Sequence, residues 1–178
     1  MADIKIALKR LAKWEGGFSN DADDPGGATK WGITEAAARR NGYKGKMAEL
    51  PYDTAEHIYR KDYWDPLALD YVNDQDIANQ LFQAAVNQGA GLWQHNLQRI
   101  CNAVLWENPQ LSLDGIIGTA TLAAVEKILT DKKSKAELSM HVYLFQVRRY
   151  DEIIEKNTNL TKYRNGWLNR AKDFLYRG

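Results

Sequence analysis

Apolar residues recur at helical spacing along most of the chain. The first stripe runs from Ile4 to Trp14 and stops before the pair Gly16-Gly17, which is a common helix terminator. Thr34 is placed to cap a short helix that reaches Arg40. Later stripes, with apolar residues three and four positions apart, predict six more helices. These stripes occupy residues 55–63, 77–84, 93–104, 122–129, 140–154 and 167–175.

Residues 18–33 interrupt this helical pattern. They carry Asn, Asp, Pro and paired Gly, and their alternation is too weak to define a long strand. The stretch therefore predicts a structured loop or a small β-hairpin inside an otherwise all-α chain.

The segment Gly89-Ala90-Gly91 is the best candidate for a boundary between two parts of the chain. Neither a low-complexity linker nor an internal repeat separates the halves. We therefore expect a region 1–91 and a region 92–178 that pack closely against each other.

Composition excludes several function classes. The 24 basic and 23 acidic residues nearly cancel, so no strong positive field favours nucleic acid as a partner. The three histidines, His57, His95 and His141, are scattered, which predicts neither a metal site nor a metal cofactor. Cys101 is the only cysteine and falls on the apolar side of a helix, so it is expected to be a buried structural thiol.

Glu15 is the strongest candidate for acid chemistry. It follows Trp14 and precedes two glycines, so aromatic and backbone surface can desolvate its carboxyl group and raise its pKa. Glycoside hydrolysis uses two carboxyl groups, and Glu15 with Asp24 supplies such a pair, with Thr29 available to hold a water. Alternatively, Glu15 ends a surface helix and the neighbouring aspartates solvate a turn.

An ordered string of residues resembles the muramidases of glycoside hydrolase family 108, which are also described as secretion activator proteins. The string is Glu15-Gly16-Gly17-Phe18, Asn20-Asp21, Asp24-Pro25-Gly26-Gly27-x-Thr29 and Gly32-Ile33-Thr34. The resemblance continues through Tyr59, Tyr63, Trp64 and residues 85–89. It implies a lysozyme-like α fold with Glu15 as the catalytic acid. The substrate would be the β-1,4 bond between N-acetylmuramic acid and N-acetylglucosamine in peptidoglycan.

The resemblance also suggests which residues surround the substrate. Glu15, Asp24 and Thr29 are spaced like the Glu/Asp/Thr triad of phage-type lysozymes, by a looser analogy. The candidates for substrate binding are Phe18, Trp31, Asn87 and Trp167. Trp167 either presents its ring to a sugar or packs in the core.

The second half of the chain resembles peptidoglycan-binding helical domains. Its segment Asp114-Gly115-Ile116-Ile117-Gly118-x-x-Thr121 is similar to their Asp-Gly-x-x-Gly-x-x-Thr motif and either serves a turn or contacts ligand. Arg148, Arg149 and Arg170 either pair with carboxylates of the peptide stems or form a solvated face.

Two positions depart from the family pattern. Ala22 stands where many relatives have Pro, and Gln83 stands where an Asp is expected. Gln83 keeps open the hypothesis of a non-catalytic wall-binding or secretion accessory protein. A lytic transglycosylase, which needs the glutamate but no partner that activates water, is the second enzymatic hypothesis besides a muramidase.

The N-terminal sequence bears on where the protein is made and where it acts. No stretch is long enough for a membrane span, and the first residues lack the apolar core of a standard signal peptide. We therefore expect synthesis in the bacterial cytoplasm and action at the cell wall or periplasm. A holin or a secretion system would export the protein, whether it is a prophage endolysin or a host secretion factor.

Overall fold

A computed structural model of the protein describes residues 1–14, 28–107 and 110–176. Helices dominate these residues, so the all-α prediction is confirmed. The α-helices in this part of the chain are α1 Ile4–Leu11, α2 Glu35–Arg40, α3 Tyr52–Tyr59, α4 Gln75–Gln88, α5 Ala90–Leu105, α6 Thr119–Leu129, α7 Lys132–Lys156 and α8 Arg164–Asp173. A π-helix spans Arg60–Trp64, and 3₁₀ segments span Met47–Glu49, Asp65–Leu67, Leu69–Tyr71 and Thr158–Tyr163.

Short polar side chains begin four of these helices. Asp3, Thr34, Asp74 and Asp131 each accept a hydrogen bond from a backbone N–H of the first turn of α1, α2, α4 and α7, respectively. Such caps satisfy donors that the helix itself leaves without a partner. The predicted capping role of Thr34 is confirmed.

The residues between Ala28 and α2 form a small hairpin. Strands β1 Thr29–Lys30 and β2 Ile33–Thr34 pair antiparallel, with Lys30 opposite Ile33. Trp31 and Gly32 connect them with φ of 56° and 74°, which is the double left-handed geometry of a tight type I′ turn. The hairpin alternative is confirmed for residues 28–34, while residues 18–27 of the predicted stretch lie outside the described residues.

Several helix limits differ from the predicted stripes, and three of them are informative. The first helix ends at Leu11, and residues 12–14 form a turn, so Trp14 does not extend the apolar stripe. The third begins at Tyr52, three residues before the first residue of its stripe, Ala55. The fifth begins at Ala90, directly after Gly89, whose φ of 95° changes the direction of the chain between α4 and α5.

Helix α4 lies at the centre of the core. Every residue from Ile77 to Ala85 is buried, because α1, α5, α7 and α8 all pack against this helix. A single hydrophobic cluster includes side chains from both sides of Gly89, such as Leu8, Leu81, Leu97 and Leu138. The two predicted regions therefore share one core.

Polar residues on α4 are matched by partners on α7. The amide of Gln80 donates to the Ser139 carbonyl and accepts from the Ser139 hydroxyl, while Gln88 donates to the carbonyl of Gln146. Burial of an amide group costs less free energy when the group is hydrogen-bonded in this way. These bonds fix the register of α4 on α7.

Candidate functional site

The tip of the hairpin holds a tryptophan in a strained backbone conformation. Trp31 has φ of 56°, and a left-handed conformation costs a bulky L-residue about 1–2 kcal/mol. Three contacts hold it: its indole N–H donates to the Leu50 carbonyl at 3.0 Å, and its own carbonyl accepts from the Tyr59 hydroxyl at 2.9 Å. Its ring also meets Tyr52 edge to face, with the ring centroids 5.5 Å apart. Strain that neighbours enforce in this way is typical of functional sites.

Trp31 and Tyr52 together form an exposed aromatic patch. Their exposed fractions are 40% and 45%, so rings that are fixed in the protein still face solvent. The Lys30 ammonium lies 5.6 Å from the Trp31 ring and also donates to the Ala48 carbonyl, which ties β1 to the 3₁₀ segment that follows α2. A rigid aromatic surface beside a cation can stack on the C–H face of a sugar ring.

Thr29 opens β1 in the same hairpin. It pairs with Thr34, which caps α2, and it is partly exposed. The backbone N–H of Glu35 donates to the Ala28 carbonyl at 2.9 Å and fixes the residue before Thr29. Thr29 and Trp31 thus stand in one hairpin that is anchored at both strands.

An aromatic cluster connects the hairpin to α4. The Tyr59 ring lies 5.8 Å from Phe82, and Trp64 lies 5.5 Å from the same phenylalanine. Tyr59 and Tyr63 flank the start of the π-helix, with ring centroids 6.0 Å apart. Wide π turns occur often at functional sites, and here the turn follows the residue that bonds to Trp31.

Three predicted site residues, Glu15, Phe18 and Asp24, lie outside the described residues. The described residue that precedes Glu15 is firmly placed: the indole N–H of Trp14 donates to the Asp173 carboxylate at 3.0 Å. Arg10 donates to the carbonyl of the same aspartate, and its guanidinium lies 4.7 Å from the Phe174 ring centroid. The end of α1 is therefore held by the end of α8.

Gln83 lies in the interior of the protein, between α4 and α7. Its side chain is fully buried, and its amide oxygen accepts from Gln146 of α7 at 3.0 Å. A carboxylate at this position would lose its hydration, whereas the neutral amide accepts one hydrogen bond and leaves its buried Nε2 without a partner.

Asn87 and Trp167 occupy different surroundings. Asn87 lies in the last turn of α4 and is partly exposed. Trp167 is half-buried in α8, where it stacks on Tyr150 with centroids 5.2 Å apart and on Tyr163 at 6.1 Å. The described ring contacts of Trp167 are thus with tyrosines of the second half, an arrangement that favours packing over sugar binding.

The Asp114-Gly115 segment serves a turn. The Asp114 carboxylate accepts from the Gln98 amide at 2.7 Å and from the backbone N–H of Ile116 at 2.9 Å. These bonds, first that from Gln98, hold the pKa of Asp114 below its ordinary value. Gly115 donates to Gln98 at 2.9 Å with φ of 76°, and the His95 ring would lie 2.9 Å from any Cβ at this position.

Cys101 is confirmed as a buried thiol. Burial raises its pKa to about 12, so it stays protonated and unreactive in the folded protein. Among the described residues, no group of His, Cys, Asp and Glu side chains could hold a metal ion. No helix in this part of the chain is long and apolar enough to cross a membrane.

Comparison with known families gives this geometry a context. Residues 8–89 match the family model described as glycosyl hydrolase 108, and residues 94–172 match a model described as a predicted peptidoglycan domain. Residues 8–89 thus belong to the glycosyl hydrolase 108 family. The hairpin and the aromatic patch lie inside the matched hydrolase region. The protein is therefore one that acts on peptidoglycan.

A solved structure shares this fold over nearly the whole chain. The chain is similar to the structure of Brucella abortus SagA, with 25% sequence identity and a TM-score of 0.71. The similarity covers 96% of this chain and 90% of that one. A search of curated proteins gave no match.

Trp31 and Thr29 stay predicted site residues, and the sequence did not predict which residues hold Trp31 in place. Tyr52 and Leu50 follow Trp31 by about twenty positions, and no local pattern links them to the hairpin. Tyr52 continues the stripe of Ala55 and Tyr59 at helical spacing, so periodicity predicts that it is buried, whereas 45% of its surface is exposed.

Proposed function

We propose that this protein is an N-acetylmuramidase. It would hydrolyse the β-1,4 bond between N-acetylmuramic acid and N-acetylglucosamine. The observation that carries the proposal is the strained Trp31 at an exposed hairpin tip within the glycosyl hydrolase 108 match. A backbone held in an unfavourable conformation to expose a rigid ring is well suited to bind a glycan strand.

Glu15 is the proposed general acid. Its proton passes to the glycosidic oxygen as the bond from that oxygen to the anomeric carbon breaks, and positive charge develops on the sugar ring. Asp24 is the proposed second carboxylate, which stabilises that charge or takes a proton from the incoming water. Thr29 would orient this water from the hairpin. Support for Glu15 and Asp24 comes from the family-like string, and support for Thr29 also from its anchored strand.

Substrate binding is proposed for the aromatic patch and its surroundings. The sugar next to the scissile bond would stack on Trp31, with Tyr52 at its edge. Phe18 and Asn87 are further proposed contacts, and an amide such as that of Asn87 can bond to N-acetyl groups. For Trp167 the proposal is limited to a contact with a distant part of the glycan, because two tyrosines already stack on its ring.

Residues 1–91 are the proposed catalytic region, and residues 92–178 the proposed wall-binding region. Both would act at the cell wall, and export by a holin or a secretion system belongs to the same proposal. The shared core implies that the two regions move as one body.

Product analysis tests the reaction type. Purified wild-type protein is incubated with purified cell walls, and the soluble fragments are analysed by mass spectrometry. A muramidase leaves a reducing N-acetylmuramic acid end, which is one water heavier than an anhydro end. Anhydro ends would contradict hydrolysis and indicate a lytic transglycosylase. Absence of released fragments would instead favour a non-catalytic wall-binding protein.

A further inference from the structure

An open groove runs between α5 and α7, in the second half of the chain. Its volume is about 360 Å³, which suffices for a short peptide segment. Leu92 and Phe145 contribute apolar surface, and three arginines and one glutamate contribute charge. The full lining is Leu92, Asn96, Arg99, Phe145, Arg148, Arg149 and Glu152.

The groove carries an excess of positive charge. The Glu152 carboxylate accepts from Arg148 Nε and from Arg149 Nη1, each at 3.2 Å. These two guanidinium groups, first Arg149, keep the pKa of Glu152 below its ordinary value, so the carboxylate is ionised. Arg99 donates at 3.3 Å to the amide oxygen of Asn96, a buried residue without charge. Three cations therefore face one anion.

The hollow next to the groove has the opposite charge balance. It is lined by Asp151, Glu152 and Glu155 against the single cation of Arg148. Arg148 thus marks a boundary, and the positive side of the groove extends from there through Arg149 to Arg99. An anionic ligand is directed to this side.

We propose that this groove binds the carboxylate groups of peptidoglycan peptide stems. The inference rests on the proposed function in that the wall is taken as the ligand. Guanidinium groups match carboxylates in shape and charge, and Glu152 already shows a carboxylate held between Arg148 and Arg149. The charge distribution of the chain agrees: residues 92–178 contain 13 Lys and Arg and nine Asp and Glu, whereas residues 1–91 contain 11 and 14.

The test measures binding to walls with and without free carboxylates. Full-length protein carrying Glu15→Gln, which keeps the wall intact, is sedimented with walls stripped of phosphate polymers. A second batch of the same walls has its carboxyl groups converted to amides. We expect binding to the untreated walls to be about tenfold tighter, since two or three partly exposed ion pairs are lost on amidation.

Substitutions in the groove separate this role from a general charge effect. Arg148→Gln with Arg149→Gln should weaken binding to untreated walls about tenfold and abolish the preference over amidated walls. Lys132→Gln with Lys133→Gln is the matched control, because it removes two charges from the start of the same helix, and it should bind like the parent. Glu152→Gln should tighten binding severalfold, because it removes the competing carboxylate.

Several results would overturn the groove assignment. One is equal affinity for the untreated and the amidated walls. Another is an equal loss of binding in the arginine variant and the lysine variant, and a third is binding that requires phosphate polymers.

Thermal unfolding verifies that each variant is folded. Activity on peptide-free glycan oligosaccharides, measured with Glu15 intact, should be the same in the arginine variant and the wild type. If the wild type proves inactive while carboxylate-dependent binding persists, the proposed function fails and the groove stands.

Discussion

Two tryptophans share an unusual backbone conformation and differ in their surroundings. Trp31 and Trp106 both have positive φ, 56° and 51° respectively, and both are exposed. Trp106 ends α5 with 83% of its surface in solvent, whereas Trp31 is fixed by Leu50, Tyr52 and Tyr59. A ring that is fixed before the substrate arrives loses little entropy on binding, so Trp31 is the better sugar platform.

Trp31→Ala is expected to raise KM on soluble glycan oligosaccharides about tenfold, with a smaller change in kcat. Loss of one stacked ring corresponds to about 1.4 kcal/mol of binding free energy. Steady-state kinetics on the purified variant measures both constants. Trp106→Ala is the control, with the same side chain removed from the same backbone conformation, and its KM should equal that of the wild type. Equal effects of the two substitutions would exclude a specific role for Trp31.

Single residues differ in how far the sequence reveals them. Trp31 and Thr29 stay predicted site residues, since Thr29 belongs to the family-like string and Trp31 lies directly before its last segment. Cys101 falls on an apolar stripe and is confirmed as buried. The burial of Gln83 against Gln146 was not visible, since 63 residues separate the two amides and each reads locally as a polar helix position.

At the level of elements, α5 organises the loop that precedes α6. His95, Gln98 and Asn102 follow one another along one side of the helix and bond to the loop backbone. Asn102 exchanges two hydrogen bonds with Leu111, Gln98 contacts Asp114, Gly115 and Ile116, and His95 contacts the Leu113 carbonyl. The segment that resembles the motif of peptidoglycan-binding domains thus forms a turn that is hydrogen-bonded to α5.

Gly115→Ala should destabilise the protein by about 2 kcal/mol, because alanine disfavours the positive φ of this residue and its Cβ would lie too close to the His95 ring. Gly118→Ala is the matched control: φ is −102° and nothing lies within 4 Å of a built Cβ, so the change should stay within about 0.5 kcal/mol. Urea unfolding measures both. If the two substitutions lower the free energy of unfolding equally, the turn that is bonded to α5 does not depend on Gly115.

Helices were easier to predict than their limits. Apolar periodicity, with the Thr34 cap, located the α-helices of the described residues, but the first ends three residues early, and Trp14 beyond it donates to Asp173 of α8. The fifth began three residues early because Gly89 alone makes the turn that the sequence attributed to three residues. The residues at which helices begin and end depend on tertiary contacts and on single residues with positive φ. The spacing of apolar residues carries no information about either.

At the level of the whole molecule, α4 is the shared centre of both halves. Its buried face contacts α1 on one side of Gly89 and α5 and α7 on the other, so in the described residues both halves contribute to one core. The sequence suggested two regions in close contact. It did not reveal that they share a core, because a stripe of apolar residues does not specify which helix covers it.

Unfolding in urea is expected to show one transition by both tryptophan fluorescence and far-ultraviolet circular dichroism. Leu138→Ala in the buried face of α7 should lower the free energy of unfolding by about 2–5 kcal/mol and shift both signals together. Leu144→Ala on the exposed face of the same helix should change it by about 0.5 kcal/mol. Two separate transitions, with only one sensitive to Leu138, would contradict a single core.

The central claim is most directly tested by the clearing of a suspension of purified cell walls. Wild-type protein should lower the turbidity, and Glu15→Gln should reduce the rate of clearing at least about a hundredfold without altering thermal stability. Glu137→Gln, which removes an equivalent carboxylate from the surface of α7, should clear at the wild-type rate. Clearing by Glu15→Gln at the wild-type rate would contradict the assignment of Glu15 as the catalytic acid.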